Sequence, residues 1–166
     1  MTVVISEVRD LRRAFGAFPT GVVAVAALGP RGPIGIAASS FTSVSLAPPI
    51  VSVNIARASK TLPALRERSH WGVSVLAEGQ EVLGRQLSLE PDQRFAGVDW
   101  QVTESGAVLL RGAAATFTVR VDSFVSAGDH EIALLHVEDV QLNAGTSPLV
   151  FHASRFRQLG IASRAD

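Results

Sequence analysis

The sequence predicts a mainly β fold, an antiparallel Greek-key β-barrel with α-helices at its periphery. Three observations point there. Apolar and β-branched runs of strand length outnumber helical spacings, about seven against three. Tight turn signals such as Gly29-Pro30-Arg31-Gly32 and Ser126-Ala127-Gly128-Asp129 join neighbouring runs. The regular strand–helix alternation of a parallel sheet is missing.

Each element has its own local reason. Val8, Leu11, Phe15 and Phe18 recur at three- and four-residue spacings, with Arg9, Asp10, Arg12 and Arg13 on the other face. This predicts an amphipathic N-terminal helix ended by Pro19. Strands are expected at 21–28 and 33–38, a hairpin around the glycine–proline turn, and at 50–56 after Pro48-Pro49. Thr61 and Pro63 mark a helix start, the first as N-cap and the second in the first turn. Residues 71–76 alternate as a strand, and 78–87 have the spacing of a short helix. The stretch 88–106 reads as polar and irregular. Two long strands follow near 113–125 and 131–142, then a short pair near 148–151 and 154–159. Trp71 and Trp100 are expected in core and loop packing.

No repeat, linker or low-complexity stretch divides the chain, so residues 1–166 read as one domain with its core at about 11–160. With 166 residues, 47% of them apolar, a packed core is expected. Basic and acidic residues balance at 15 each, which argues against a nucleic-acid or acidic-membrane surface. Of the 15 basic residues only Lys60 is a lysine. The absence of cysteine excludes disulfides, thiolate catalysis and cysteine-ligated metals. No run reaches the ~18 apolar residues of a membrane span. The first ten residues carry Glu7 and Asp10 without a basic segment and apolar core, so the expected location is cytoplasmic.

Phosphate-loop, Rossmann and hydrolase-elbow signatures are absent from the sequence. His70, His130, His136 and His152 show no metal-ligand spacing. What stands out is Ser39-Ser40-Phe41-Thr42-Ser43-Val44-Ser45, five hydroxyl residues in seven. Hydroxyls and exposed amides can hold a phosphate or the polar edge of a ring without net charge. Asn54 with Ser59-Lys60-Thr61 forms a second such cluster, where a helix start adds its dipole and a cation. The plainer reading of both clusters is edge-strand and turn chemistry.

The order of these segments resembles the short-chain flavin reductases, the reductase components of two-component flavin-dependent monooxygenases. The resemblance spans about Phe15 to Leu159. It is carried by Phe18-Pro19-Thr20-Gly21-Val22, Ala38-Ser39-Ser40-Phe41-Thr42-Ser43-Val44-Ser45-Leu46 and Pro48-Pro49. Asn54, Ser59-Lys60-Thr61, the Gln80 helix, Arg94-Phe95-Ala96-Gly97-Val98, Gly128-Asp129-His130-Glu131-Ile132 and Pro148-Leu149-Val150-Phe151 complete the series. Two positions depart from the family pattern: Ala37 stands where a threonine is frequent, and Ala47 where an aspartate is. The first removes a hydroxyl from the expected flavin contacts.

The resemblance implies an FMN-binding split barrel, a homodimer with flavin near its interface, and hydride transfer from NADH or NADPH to FMN or FAD. Such transfer needs close stacking more than acid–base machinery. By the same resemblance, Ala38, Ser39, Ser40, Phe41 and Thr42 run along the flavin ring and ribityl chain, with Asn54 nearby. Ser59, Lys60 and Thr61 hold the phosphate, and His130 sits by the nicotinamide. His152 and Arg155 are candidates for the nicotinamide dinucleotide. Plainer roles stand beside these: Phe41 as core filler, Lys60 as a solvated helix-start residue, His130 capping its turn with Asp129, and Arg155 pairing across a dimer. A reduced-flavin-consuming monooxygenase is the implied partner. The rival readings are a flavin carrier or sensor without turnover, an oxidase or oxygenase acting on its own organic substrate, and a structural or interaction domain with no ligand.

Overall fold

The computed structural model describes residues 8–160. Its centre is a seven-stranded antiparallel sheet, curled into a split barrel. The strands are β2 (Val23–Gly29), β3 (Gly32–Ala38), β4 (Thr42–Leu46), β5 (Pro49–Ala56), β6 (His70–Val75), β9 (Ala115–Ala127) and β10 (His130–Leu142). Their spatial order is β3-β2-β6-β9-β10-β5-β4. Two smaller sheets flank it: β7 (Trp100–Val102) with β8 (Val108–Leu110), and β1 (Thr20–Gly21) with β11 (Val150–His152) and β12 (Arg155–Arg157).

The alternation of side chains builds two cores. One face of the curled sheet sends Val25, Val53, Ile55, Trp71, Val73, Val119, Ala133 and Leu135 into the barrel, each fully or nearly fully buried. The other face of β2 presents Ala24, which joins Val22, Leu76, Leu87, Leu110 and Leu149 in a second cluster beneath the small sheets. Strand β2 is therefore apolar on both faces, as burial on both sides requires. Where β8 crosses β6, a Cβ on Gly72 would collide with the carbonyl oxygen of Val108. The β9–β10 turn has Gly128 at φ 59°, a left-handed conformation that glycine adopts without steric cost.

Most of the expected strands are present, within a few residues of their expected limits. The short helix near 78–87 appears as a 3₁₀ turn (Glu78–Gln80) leading into α3 (Glu81–Gln86). The hydroxyl-rich stretch is itself a strand, β4, at the sheet's edge, so part of its Ser/Thr content belongs to an exposed edge. The stretch read as irregular ends in β7, which is only three residues long and takes its order from pairing with β8. In α2 (Leu62–Arg66), Thr61 occupies the N-cap position but its side chain makes no cap hydrogen bond. The N-terminal helix α1 (Val8–Phe15) ends four residues before Pro19 and buries none of its residues. Phe15 and Phe18 are 71% and 74% exposed.

Candidate functional site

On the outer face of β5 and β10 the antiparallel register sets His130 opposite Ala56 and Ile132 opposite Asn54. All four side chains point away from the barrel core, because their neighbours Ile55, Glu131 and Ala133 are the buried ones. They floor a cleft of about 720 Å³, a size that suits a cofactor or a small organic ligand. One wall is the end of β3 and the residues after it, Ile36 to Ser40. The opposite wall is Leu87, Ser88 and Arg94, which follow α3. Ser59, Ala127 and Phe15 close the rim.

Several contacts hold these walls in place. The Asn54 amide donates to Ser40 Oγ at 2.9 Å, and Ser40 Oγ donates back to the Asn54 carbonyl at 3.0 Å. The exit of β3 is thereby pinned to the middle of β5. The Arg57 amide donates to the Asp129 carbonyl at 2.9 Å, drawing the β9–β10 turn against the end of β5. Beneath that turn, Glu131 is buried but not unpaired: Arg57 and Arg66 each place a nitrogen 3.1 Å from one of its oxygens, and Ser126 donates to it. Removing either arginine would expose the cost of a desolvated carboxylate.

Two ionisable groups face the cleft. His130 Nδ1 lies 2.7 Å from Asp129 Oδ1. That hydrogen bond, with the imidazole's charge, holds the Asp129 carboxyl below its ordinary range. With a neutral ring, Nδ1–H donates to the carboxylate, which leaves Nε2 as an acceptor. Arg94 is the second group. Its Nη1 donates to the Gly35 carbonyl and to Thr61 Oγ1, both at 2.8 Å, and its Nε donates to the Leu89 carbonyl at 2.7 Å. Partial burial lowers its pKa and nearby Glu90 opposes that shift. The guanidinium stays charged at neutral pH all the same, and its Nη2 takes part in none of these bonds.

The structure gathers some of the predicted residues and separates others. Ala38, Ser39, Ser40, Asn54, Ser59 and His130 all line the cleft. Phe41 turns into the barrel core, its ring 5.5 Å from that of Phe117, which is the core-filler reading. Thr42 pairs with Ser52 in the β4–β5 ladder and is not in the lining. Lys60 is 72% exposed and bonded to Glu90 at 3.0 Å. Thr61 is buried with its hydroxyl taken by Arg94. His152 and Arg155 face each other across the β11–β12 hairpin, outside the cleft. The cation at the site is thus Arg94, about thirty residues from where the helix-start argument placed it. Arg94 lies within the segment Arg94-Phe95-Ala96-Gly97-Val98 that marks the family resemblance, and that is the one signal by which the sequence pointed to it.

The donor set suits a planar ring with an anionic tail. Ile36, Ala56 and Ile132 offer apolar contact, Ser39, Ser59, Ser88 and Asn54 offer hydrogen bonds, and Arg94 offers charge.

Comparison with known proteins agrees with this chemistry. Residues 15–160 match the flavin reductase like domain. The solved structure of the NADH:FAD oxidoreductase of Streptomyces globisporus, in complex with NAD and FAD fragments, superposes with a TM-score of 0.92 at 35% identity, covering 98% of this chain and 99% of that one. An NADH:FMN oxidoreductase of Rhodococcus erythropolis is 35% identical over 153 residues, 89% of this chain and 79% of the relative. The reductase component of a flavin-dependent trigonelline monooxygenase of Acinetobacter baylyi is 35% identical over 153 residues, 92% of this chain. The chain spans about half the length of that relative, and of another that it matches over 99% of its own residues. A split barrel with this cleft, matched over residues 15–160, belongs to the flavin reductase like family.

Proposed function

We propose that this protein is an NAD(P)H:flavin oxidoreductase that passes a hydride from NADH or NADPH to FMN or FAD and supplies the reduced flavin to a separate monooxygenase. The observation that carries the reading is one cleft with the Asp129-held His130 on its floor and Arg94 in its wall. When bound, the flavin supplies the redox chemistry. The chain's part is to orient. Ile36, Ala56 and Ile132 restrict the ring's plane, and the Ala38–Ser40 backbone, pinned by Ser40 to Asn54, meets its polar edge. Arg94 Nη2 and Ser59 receive the phosphate. His130 Nε2 accepts a hydrogen bond from the incoming nicotinamide carboxamide, its ring oriented by Asp129.

The same reading takes residues 1–166 as one domain, with its core at about 11–160, and the chain as a cytoplasmic homodimer. Among the described residues no helix is long and apolar enough to cross a membrane. The homodimer is supported by the uncovered apolar face of α1 and by Leu46 on the edge strand, 93% exposed. Large apolar side chains left uncovered in this way are common at interfaces between subunits.

The test is NADH oxidation, followed by absorbance, with and without FMN or FAD. Turnover that requires added flavin supports the reductase and identifies its acceptor. Stoichiometric flavin binding with no oxidation of NADH or NADPH would replace it with the carrier reading.

A further inference from the structure

A second cavity, of about 370 Å³, lies beside the cleft between α1 and the β11–β12 turn. Its walls are Arg9, Arg12 and Arg13 on one side and Gly16, Ala153 and Ser154 around the end of the helix. The three arginines fall at i, i+3 and i+4, so one helix face carries them all. Phe15, the residue before Gly16, lines the main cleft. The two cavities therefore adjoin at the last turn of α1.

The groove is built on both sides. The Ala153 amide donates to the Gly16 carbonyl at 2.8 Å, tying the turn to the helix end. Ala153 and Ser154 have φ of 49° and 60° between the paired residues His152 and Arg155. Two successive non-glycine residues in the left-handed region are costly, and they persist only where the surroundings hold them. The helix C-terminus by itself disfavours an anion, since its dipole leaves about half a negative charge there. Full positive charges on Arg12 and Arg13 outweigh that half charge, and the Gly16 carbonyl is already occupied. The field of Arg12 also reaches Asp129, the partner of His130.

We propose that this arginine groove binds the pyrophosphate of a dinucleotide whose reacting ring lies in the main cleft. A pyrophosphate diester is a dianion with paired acceptor oxygens on each phosphorus, the chemistry that planar guanidinium forks recognise. Both FAD and NADH carry one. FMN and reduced nicotinamide mononucleotide do not. The inference rests on the reductase reading for the ring's position, whereas the groove's own anion binding does not depend on turnover.

The double variant Arg12→Ala/Arg13→Ala tests it, with Arg12→Lys/Arg13→Lys as the charge-retaining control. Calorimetric titration with ADP-ribose, which has the pyrophosphate and lacks either reacting ring, is expected to show about a tenfold weaker Kd for the alanine variant, with most of the affinity kept by the lysine variant. In initial rates, KM is expected to rise for NADH and not for reduced nicotinamide mononucleotide if the groove serves the donor. If it serves the acceptor, KM rises for FAD and not for FMN. Equal ADP-ribose affinity in wild type and alanine variant, or no ADP-ribose binding by either, overturns the proposal. So do equal losses for dinucleotide and mononucleotide. A wild type that oxidises no NADH with either flavin, yet loses ADP-ribose affinity on substitution, removes the reductase reading and leaves the groove standing.

Discussion

Ser40 and Asn54 exchange two hydrogen bonds through one hydroxyl, which accepts from the Asn54 amide and donates to the Asn54 carbonyl. A side chain thus does for β3 and β5 what a ladder does for paired strands, at the point where the sheet splits open. The cleft exists because these strand ends are held together without being paired along their length. Ser40→Ala removes both bonds, but the site is solvent-accessible and water can replace them. The expected loss is about 1 kcal/mol in urea unfolding. A larger relative loss is expected in flavin affinity, measured by fluorescence quenching, because the Ala38–Ser40 backbone would no longer be fixed.

Arg94 and Lys60 offer a direct comparison of two cations. Arg94→Ala is expected to weaken flavin binding by about tenfold to a hundredfold, the range for losing a charge-assisted hydrogen bond. Arg94→Lys should restore little, since a point charge cannot bond Gly35, Thr61 and Leu89 together as the guanidinium does. Lys60→Ala should change flavin affinity by less than about threefold, as an exposed pair with Glu90 contributes little. Equilibrium titration of the three variants checks the ranking, and a reversed order would return the phosphate to the start of α2.

The Asp129–His130 pair gives a pH dependence with a definite sign. The folded-state pKa of Asp129 is depressed by its bond to His130. Its contribution is therefore present above the ordinary aspartate value of about 3.9 and is lost as pH falls through the lower folded value. Wild type and Asp129→Asn should differ in urea midpoint at neutral pH and draw together progressively as pH falls below about 4. Asp129→Asn should also raise KM for NADH, since the His130 ring loses its orienting partner.

His130→Ala is expected to lower kcat/KM for NADH by about tenfold to a hundredfold while leaving flavin affinity near wild type. Steady-state rates with saturating flavin would check this. Unchanged kcat and KM would reduce His130 to a turn residue bonded to Asp129.

Gly72→Ala tests the packing of β8 against β6. The added Cβ meets the Val108 carbonyl, a backbone atom that cannot rotate away. A loss of about 3 kcal/mol or more is expected in chemical denaturation, at the upper end for overpacked sites. A wild-type midpoint would mean that β8 can shift away from β6 without cost.

What could be read from the chain was what neighbouring residues decide among themselves. The apolar run of β5, the alternation at 71–76 in β6, the Gly-Pro and Gly-Asp turns, and Pro63 in the first turn of α2 are local, and local chemistry sufficed for them. The order of hydroxyl and glycine motifs carried the family, and with it Ser39, Asn54, Ser59 and His130 at the cleft.

Which cation faces the cleft was settled only by the fold. Lys60 had the better local argument, yet Glu90 lies beside it, and Arg94 reaches in from a loop after α3 to bond β3 and α2. Phe41 likewise followed the barrel: it lies just before β4, and its ring sits 5.5 Å from that of Phe117 on β9. The short strands β7 and β8 are ordered by each other and by the second core. The reason is common to all three. A side chain's partner is chosen by the elements packed against it, and those come from residues distant in sequence, where propensity and spacing carry no information.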